Sequence, residues 1–433
     1  MNLIIAAVFI IISFFAIIKI KMFGANGIDK KWFLFAFSAK LFSAICLWAI
    51  YSFYYGDISK ADIFRYYNDS QIAYQQFGKS PINYFKIITS IDGNNAQLKP
   101  IYMQMNNWDK PDSSQISSNN KFIIRYLCFL SLLTFGSYFA ILIITIFLSF
   151  TGLFWIFRFF YHKMPNKKWW IFAVIFFTPS VLFWTSSILK ESIIIFFIGL
   201  VLNCGNFALK KRNPQIRILM VLLAFVAIFQ IKAFVAIALL LATVAYIWNH
   251  FHPRQMAFIS YFVVFLIIIS IGAESSKFMK RSVYQMIIEK KVEFVNLAIA
   301  DKSNSLIEMP NLDATTFSFA KNTPKAIFNV IARPWIWEAK NSLSIMASIE
   351  NILLLILIFL AIFYYSHHKF NSNLFWFCLA ISISLFALIG LSTPILGAIS
   401  RYRVIPLLFF EIALIQLIDM NKLAFLKRNK ANK

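Results

Sequence analysis

Charge is what this chain has least of. Only 14% of its 433 residues are charged, and the acidic ones are the scarcer, 18 Asp and Glu against 42 Lys and Arg. A water-soluble domain of this length needs more charge than that on its surface. Cysteine is nearly absent as well: Cys46, Cys128, Cys204 and Cys378 lie in or against apolar segments with no CxxC spacing, which supports neither a disulfide framework nor a zinc site. The sequence has no GxxxxGK[ST], no GxGxxG and no HExxH. ATP-driven transport and zinc proteolysis are therefore set aside, and no cofactor is expected.

What is present is hydrophobic. Apolar residues make up 60% of the chain, 50 residues are Phe, and the mean hydropathy is +0.70. Long apolar runs without period-two alternation, and only 12 Gly, point to membrane helices rather than a barrel. The expected fold class is all-α, a polytopic integral membrane helical bundle forming one domain over residues 1–433. The net charge of +24 would suit nucleic acid only on a soluble basic face, whereas here the basic residues flank apolar spans. Membrane lipid is the expected surrounding, and nucleic acid is not an expected partner.

Spans of roughly bilayer length are read at 3–18, 33–54, 136–157, 169–184, 193–209, 218–231, 234–248, 256–272, 344–365, 374–391 and 404–418, about eleven transmembrane helices. Placing the amino terminus outside gathers the basic clusters on one side: Lys19, Lys21, Lys30 and Lys31, then Arg158, Lys163, Lys167 and Lys168, then Lys210, Lys211, Arg212 and Arg217. A basic cytoplasmic tail at 419–433 completes the pattern, which follows the positive-inside rule. The first span has no basic residue before it and no small-residue cleavage site after it, so it reads as a retained helix. Two longer extracytoplasmic loops result, at 55–124 and 273–342, the second with an amphipathic stretch over 278–300. No internal repeat strong enough for a transporter's inverted halves is visible.

Four basic residues fall on short outer turns, against that rule: Lys190, Lys232, Arg401 and Arg403. Each alone is accounted for by snorkelling to the interface. Together they are expected to line a basic rim suited to phosphate or pyrophosphate, which Arg grips as a fork and Lys as a point charge. Glu191, next to Lys190, is read as a possible orienting group, although adjacent helical residues point in different directions. Just after the second span, Asp57, Asp62 and Asp69 lie among several tyrosines, a cluster able to supply a general base to an acceptor hydroxyl. An aromatic belt with solvated charges is the competing account. Arg333, Trp335, Trp337 and Glu338 end the second loop, where paired Trp rings stack on a sugar or anchor the chain at the interface. Glu350 and Glu411 fall inside spans and call for partners.

These residues carry a resemblance. A first span, a basic turn, a second span and an outer Gly56-Asp57…Asp62-x-x-x-Tyr66 segment resemble the EpsG and Wzy group of bacterial polysaccharide polymerases. Pro-Ser-x-x-Phe-Trp followed by Lys-Glu at 179–191, Arg-Pro-x-x-Trp-Glu at 333–338 and Arg401-Tyr402-Arg403-x-x-Pro406 are similar to elements found near that group and near the GT-C glycosyltransferases. The acidic motif follows the second span, whereas GT-C enzymes carry theirs after the first. Where EpsG-like proteins have an Arg before Gly-Asp, this chain has Ser52-Phe53-Tyr54-Tyr55.

The resemblance implies glycosyl transfer between polyprenyl-pyrophosphate-linked saccharides at the outer face of a bacterial cytoplasmic (inner) membrane. Asp62 would be the base, with Asp57 or Asp69 as substitute. Lys190, Lys232, Arg401 and Arg403 would hold the departing pyrophosphate, and Arg333, Trp335, Trp337, Glu338 and Tyr402 the saccharide. Partner proteins of a polysaccharide export pathway would fit the same setting. The alternatives are a GT-C enzyme using a polyprenyl-phosphate sugar, a flippase or transporter of lipid-linked saccharides, and a structural membrane protein.

Overall fold

Helix ends in a membrane protein must find partners for backbone groups that water would otherwise satisfy, and this chain supplies them from local side chains. Ser80, Ser137, Thr315, Asn341 and Asn371 each accept a backbone N–H from the first turn of the helix that follows, the usual N-capping geometry. Lysines serve the other ends. Lys30 donates to the Ile18 carbonyl, and Lys167 donates to the carbonyls of Ile415 and Gln416 at 3.0 and 2.8 Å, positive charge at the negative end of a helix. Some of the basic residues that define sidedness in the sequence are thus also capping groups.

The computed structural model describes residues 2–24, 27–54, 61–108, 120–210, 213–277, 279–300, 305–366, 371–420 and 422. In chain order the first helices are α1 (Asn2–Lys19), α2 (Lys30–Ala49), α3 (Asp62–Lys79), α4 (Pro81–Thr89), α5 (Lys99–Tyr102), α6 (Asn120–Thr134) and α7 (Tyr138–Tyr161). Next come α8 (Lys168–Phe177), α9 (Pro179–Trp184), α10 (Lys190–Leu209), α11 (Pro214–Ile231), α12 (Ala233–Phe251) and α13 (Ala257–Glu274). The chain continues with α14 (Val283–Ala300), α15 (Thr316–Ala332), α16 (Ser342–Phe363), α17 (Ser372–Ser392), α18 (Leu396–Tyr402) and α19 (Val404–Leu417). Among the described residues there is no strand, only two isolated bridges, and nine helices are long and apolar enough to cross a membrane.

Two of the sequence-predicted spans are not among those nine helices. The run at 169–184 is divided into α8 and α9 at Thr178, whose backbone turns extended (φ −58°, ψ 121°). Pro179 is the cause: its ring disfavours a helical residue before it, and it has no N–H to continue the ladder. The last predicted span, 404–418, is α19, preceded by the short α18 with Arg403 between the two. The 14 residues of α19 rise only ~21 Å, short of a ~30 Å hydrocarbon core.

The helices sort into two compact units, residues 1–162 with 182–233 and residues 163–181 with 234–433. In the first, α7 packs against α1, α2 and α10, while α10 also lies along α11 and α3 lies on α4 and α6. Much of the phenylalanine serves this core rather than lipid: Phe33 meets Phe154 edge-on at 5.1 Å and Phe37 meets Phe150 at 5.3 Å. In the second unit, α17 is the centre, with α13, α14, α15 and α19 against it and α16 and α8 against α19. Helices α14 and α15 lie within the segment read as the second long loop. Gly390 of α17 faces the backbone of Ala326 in α15.

Small residues set the closest crossing in the first unit. A Cβ at Gly199 would fall on the backbone of Gly152, and one at Gly152 on the backbone of Ile195 and Phe196; this is how membrane helices without a hydrophobic drive gain contact. Gly199→Val is expected to destabilise the protein by about 1–3 kcal/mol, because backbone rather than a flexible side chain must move. Gly205→Ala, on the same helix with nothing within 4 Å of the new Cβ, should be near neutral. Thermal unfolding of the two purified variants in detergent checks this; equal midpoints would refute the close-packing account.

Candidate functional site

The site begins with α3. Asp62 opens the helix, where a carboxylate suits the positive end of the dipole. Asp62, Tyr66 and Asp69 follow at i, i+4 and i+7 and so share one face. Tyr66 and Asp69 are buried, and Asp62 is half-buried. Asp69 is committed to structure: its carboxylate accepts the backbone N–H of Asn106 at 3.1 Å and of Asn107 at 2.8 Å. Burial raises the Asp69 carboxyl from its ordinary value, against the pull of those two N–H groups. Its contribution to stability is therefore fully present below the ordinary value and is lost as pH rises through the raised one. Asp57 lies outside the described residues.

The turn after α9 is built from its own hydroxyls. Ser186 Oγ donates to the Leu182 carbonyl at 2.5 Å and Ser192 Oγ to the Ser187 carbonyl at 2.6 Å. Lys40, buried in α2, donates to the carbonyl of Thr185 at 2.6 Å and also to its hydroxyl. The turn is thereby fixed before α10 begins.

Lys190 then opens α10, where the helix dipole disfavours a cation. Its offsetting contacts come from elsewhere in the unit. Lys190 Nζ donates to Asn120 Oδ1 at 2.6 Å and lies 5.5 Å from the Tyr66 ring centroid. Asn120 in turn donates to the Asn107 carbonyl at 3.1 Å, beside the N–H that Asp69 holds. Lys190, Asn120, the 106–107 backbone and Asp69 thus form a continuous polar chain that ties α10 and α6 to α3. Glu191, about 100° further round the helix, meets Lys232 at 2.7 Å, both side chains buried. The basic rim expected from sequence is therefore an internal feature at these positions: Lys190 is 3% and Lys232 6% exposed, and Glu191 serves Lys232 rather than Lys190.

In the second unit Arg403 is also internal. It is fully buried, pairs with Glu350 at 2.8 Å and donates to the carbonyls of Val330 and Arg333 at 3.1 and 3.3 Å. Glu350 also accepts the backbone N–H of Ser180 at the start of α9, and Glu411 accepts from the Thr178 hydroxyl at 2.7 Å. Asn351 Nδ2 donates to the carbonyls of Ala332 and Pro334. The start of α9 and the end of α15 are thus satisfied by Glu350 and Asn351 of α16 and by Arg403. Arg401 is half-buried with its guanidinium 5.9 Å from the Tyr402 ring, and Tyr402 touches Phe294.

The Arg333–Glu338 element is a compact turn. Glu338 binds the Arg333 guanidinium and accepts the Trp335 N–H at 2.9 Å. Burial raises its carboxyl, but those hydrogen bonds outweigh it and leave the group below its ordinary value. The turn sets Trp335 and Trp337 parallel, 5.3 Å apart, with Trp337 75% exposed.

Sequence reasoning gave no role to Lys40, Asn120 or Thr178, and it gave Tyr66 only a place in the Asp62-x-x-x-Tyr66 segment. Only Lys40, a cation inside an apolar run, carried a signal. Among the described residues no group of three His, Cys, Asp or Glu is placed to hold a metal. Compared with known proteins, the chain matches no family model, no curated protein and no solved structure.

Proposed function

We propose that this protein is a glycosyl-transfer enzyme of surface polysaccharide synthesis, acting on polyprenyl-pyrophosphate-linked saccharides at the outer face of a bacterial cytoplasmic membrane. In this reading the chain crosses about eleven times, with its amino terminus outside, the interrupted α8–α9 and α18–α19 elements making the two short passes. The observation that carries it is the contact of Lys190 with Tyr66: a buried cation that opens a membrane helix meets the helix bearing Asp62. Asp62 takes the proton of the acceptor hydroxyl as that oxygen bonds to the anomeric carbon. The bond from that carbon to pyrophosphate breaks with its electron pair, and Lys190 stabilises the charge that develops. Asp69, Glu191 and Lys232 hold the frame rather than react.

In cells whose polysaccharide depends on this protein, Asp62→Asn and Lys190→Ala are expected to leave protein abundance near normal. The lipid carrier should accumulate single repeat units, with transfer slowed by about 10²-fold or more. A normal chain-length distribution in both variants would sink the enzymatic reading. A second reading has its own observation. Buried Glu350, Arg403 and Glu411 at interrupted helices are features that transporters build around their substrates, and accumulation on the cytoplasmic leaflet would favour a flippase.

A further inference from the structure

Two arginines meet near one end of the first unit. Arg158 stands in the last turn of α7 and Arg217 in the first turn of α11. Both reach Phe207, in the last turn of α10: their guanidinium carbons lie 5.1 and 4.5 Å from its ring centroid, within cation–π range. The two charges repel each other. The dipole at the end of α7 favours a cation at Arg158, but the dipole at the start of α11 disfavours one at Arg217. Packing of α10 against both α7 and α11 therefore brings like charges to a single ring, which is costly unless an anion joins them.

No described residue supplies that anion. Neither guanidinium pairs with a carboxylate among the described residues, and the Nε of each is buried without a hydrogen-bond partner. Arg217 meets the Cys204 thiol of α10, a weak partner for a full charge. The adjoining residues outside the described set, Lys211 and Arg212, are both basic, and Lys210 before them is exposed. The acidic residues outside that set, Asp57, Asp109, Asp112 and Asp301, belong to the segments read as outer loops, on the face opposite the basic clusters that include Arg158 and Arg217.

What adjoins the pair is apolar. Ile218, Leu219, Leu222 and Leu223 of α11 are exposed, a flank that starts next to Arg217 and that acyl chains cover in a bilayer. Two guanidinium forks above such a flank match a phosphate carried on a diacyl chain. We infer that Arg158 and Arg217 bind the phosphate of an anionic phospholipid whose chains lie along α11. The inference rests on the membrane setting of these helices, not on glycosyl transfer or on the roles of Asp62 and Lys190.

The test is native mass spectrometry of the full chain in detergent, titrated with phosphatidylglycerol or with zwitterionic phosphatidylcholine. Phosphatidylglycerol should bind saturably and more tightly than phosphatidylcholine. Arg158→Gln and Arg217→Gln, each alone, should weaken phosphatidylglycerol by about fivefold, and the double variant should bind the two lipids alike. Lys321→Gln with Lys325→Gln removes two exposed charges from α15 and should leave the preference unchanged. Circular dichroism checks that each variant is folded, and the single variants decide the matter if the double one is not. Equal binding of the two lipids by the unaltered chain, an unchanged preference in both single variants, or an equal loss in the α15 variant would overturn the inference. Displacement of the lipid by inorganic phosphate would assign the pair to a soluble phosphate and overturn the lipid assignment. A positive result would stand even if Asp62→Asn and Lys190→Ala left polysaccharide chains normal.

Discussion

Arg403→Met is expected to destabilise the protein by about 3–5 kcal/mol, the usual cost of removing one partner from a buried ion pair. Arg403 is fully buried and Glu350 is 2% exposed, so the substitution strands a carboxylate where water cannot reach it. It also strips donors from the carbonyls of Val330 and Arg333, at the end of α15. Arg403→Lys should recover part of the loss, since an ammonium pairs with Glu350 but cannot reproduce the guanidinium fork. Adding Glu350→Gln to Arg403→Met should be less harmful than the two single effects combined, because the stranded charge is gone. Thermal unfolding of the four proteins in detergent measures this cycle. Simple additivity would mean that the pair contributes little and that Arg403 acts only through the two carbonyls.

A second cycle concerns the end of α11 in the first unit. Lys232 is the single residue between α11 and α12, and its side chain pairs with Glu191 at 2.7 Å with 7% and 1% of the side chains exposed. Lys232→Met should cost toward the lower end of the same 3–5 kcal/mol range, since Glu191 lies in the first turn of α10 and keeps the favourable helix dipole. Glu191→Gln in the Lys232→Met background should restore much of the stability. It should also leave the proposed chemistry intact, because the polar chain from Lys190 to Asp69 does not pass through Glu191. If the double variant instead lost polysaccharide polymerisation at normal abundance, the ion pair would belong to the site and not to its frame.

Much of the architecture was legible from local pattern. Apolar runs located the long helices to within a few residues, because the ~20-residue length of a span and its apolar content are properties of contiguous sequence. The run at 169–184 differs for a physical reason: hydropathy there does not register that Pro179 turns Thr178 out of the helix, whereas the run at 404–418 coincides with α19. The residues singled out at the site fared unevenly. Position alone made Lys190 conspicuous, and the structure joins it to the helix of Asp62 through Tyr66. Asp69 looked interchangeable with Asp62, yet its carboxylate accepts the backbone N–H groups of Asn106 and Asn107.

By itself, the sequence determined that this is an all-helical chain with several helices fit for a membrane, since composition and run length do not depend on which helix meets which. Only the tertiary structure decided the partners of its few charges. Arg403 finds Glu350 across 53 residues, Lys190 finds Asn120 across 70, and Lys40 finds Thr185 across 145. No periodicity reaches that far. These pairs follow from helix packing, and in a low-dielectric interior each cation that packing buries must meet whatever oxygen the packing brings to it.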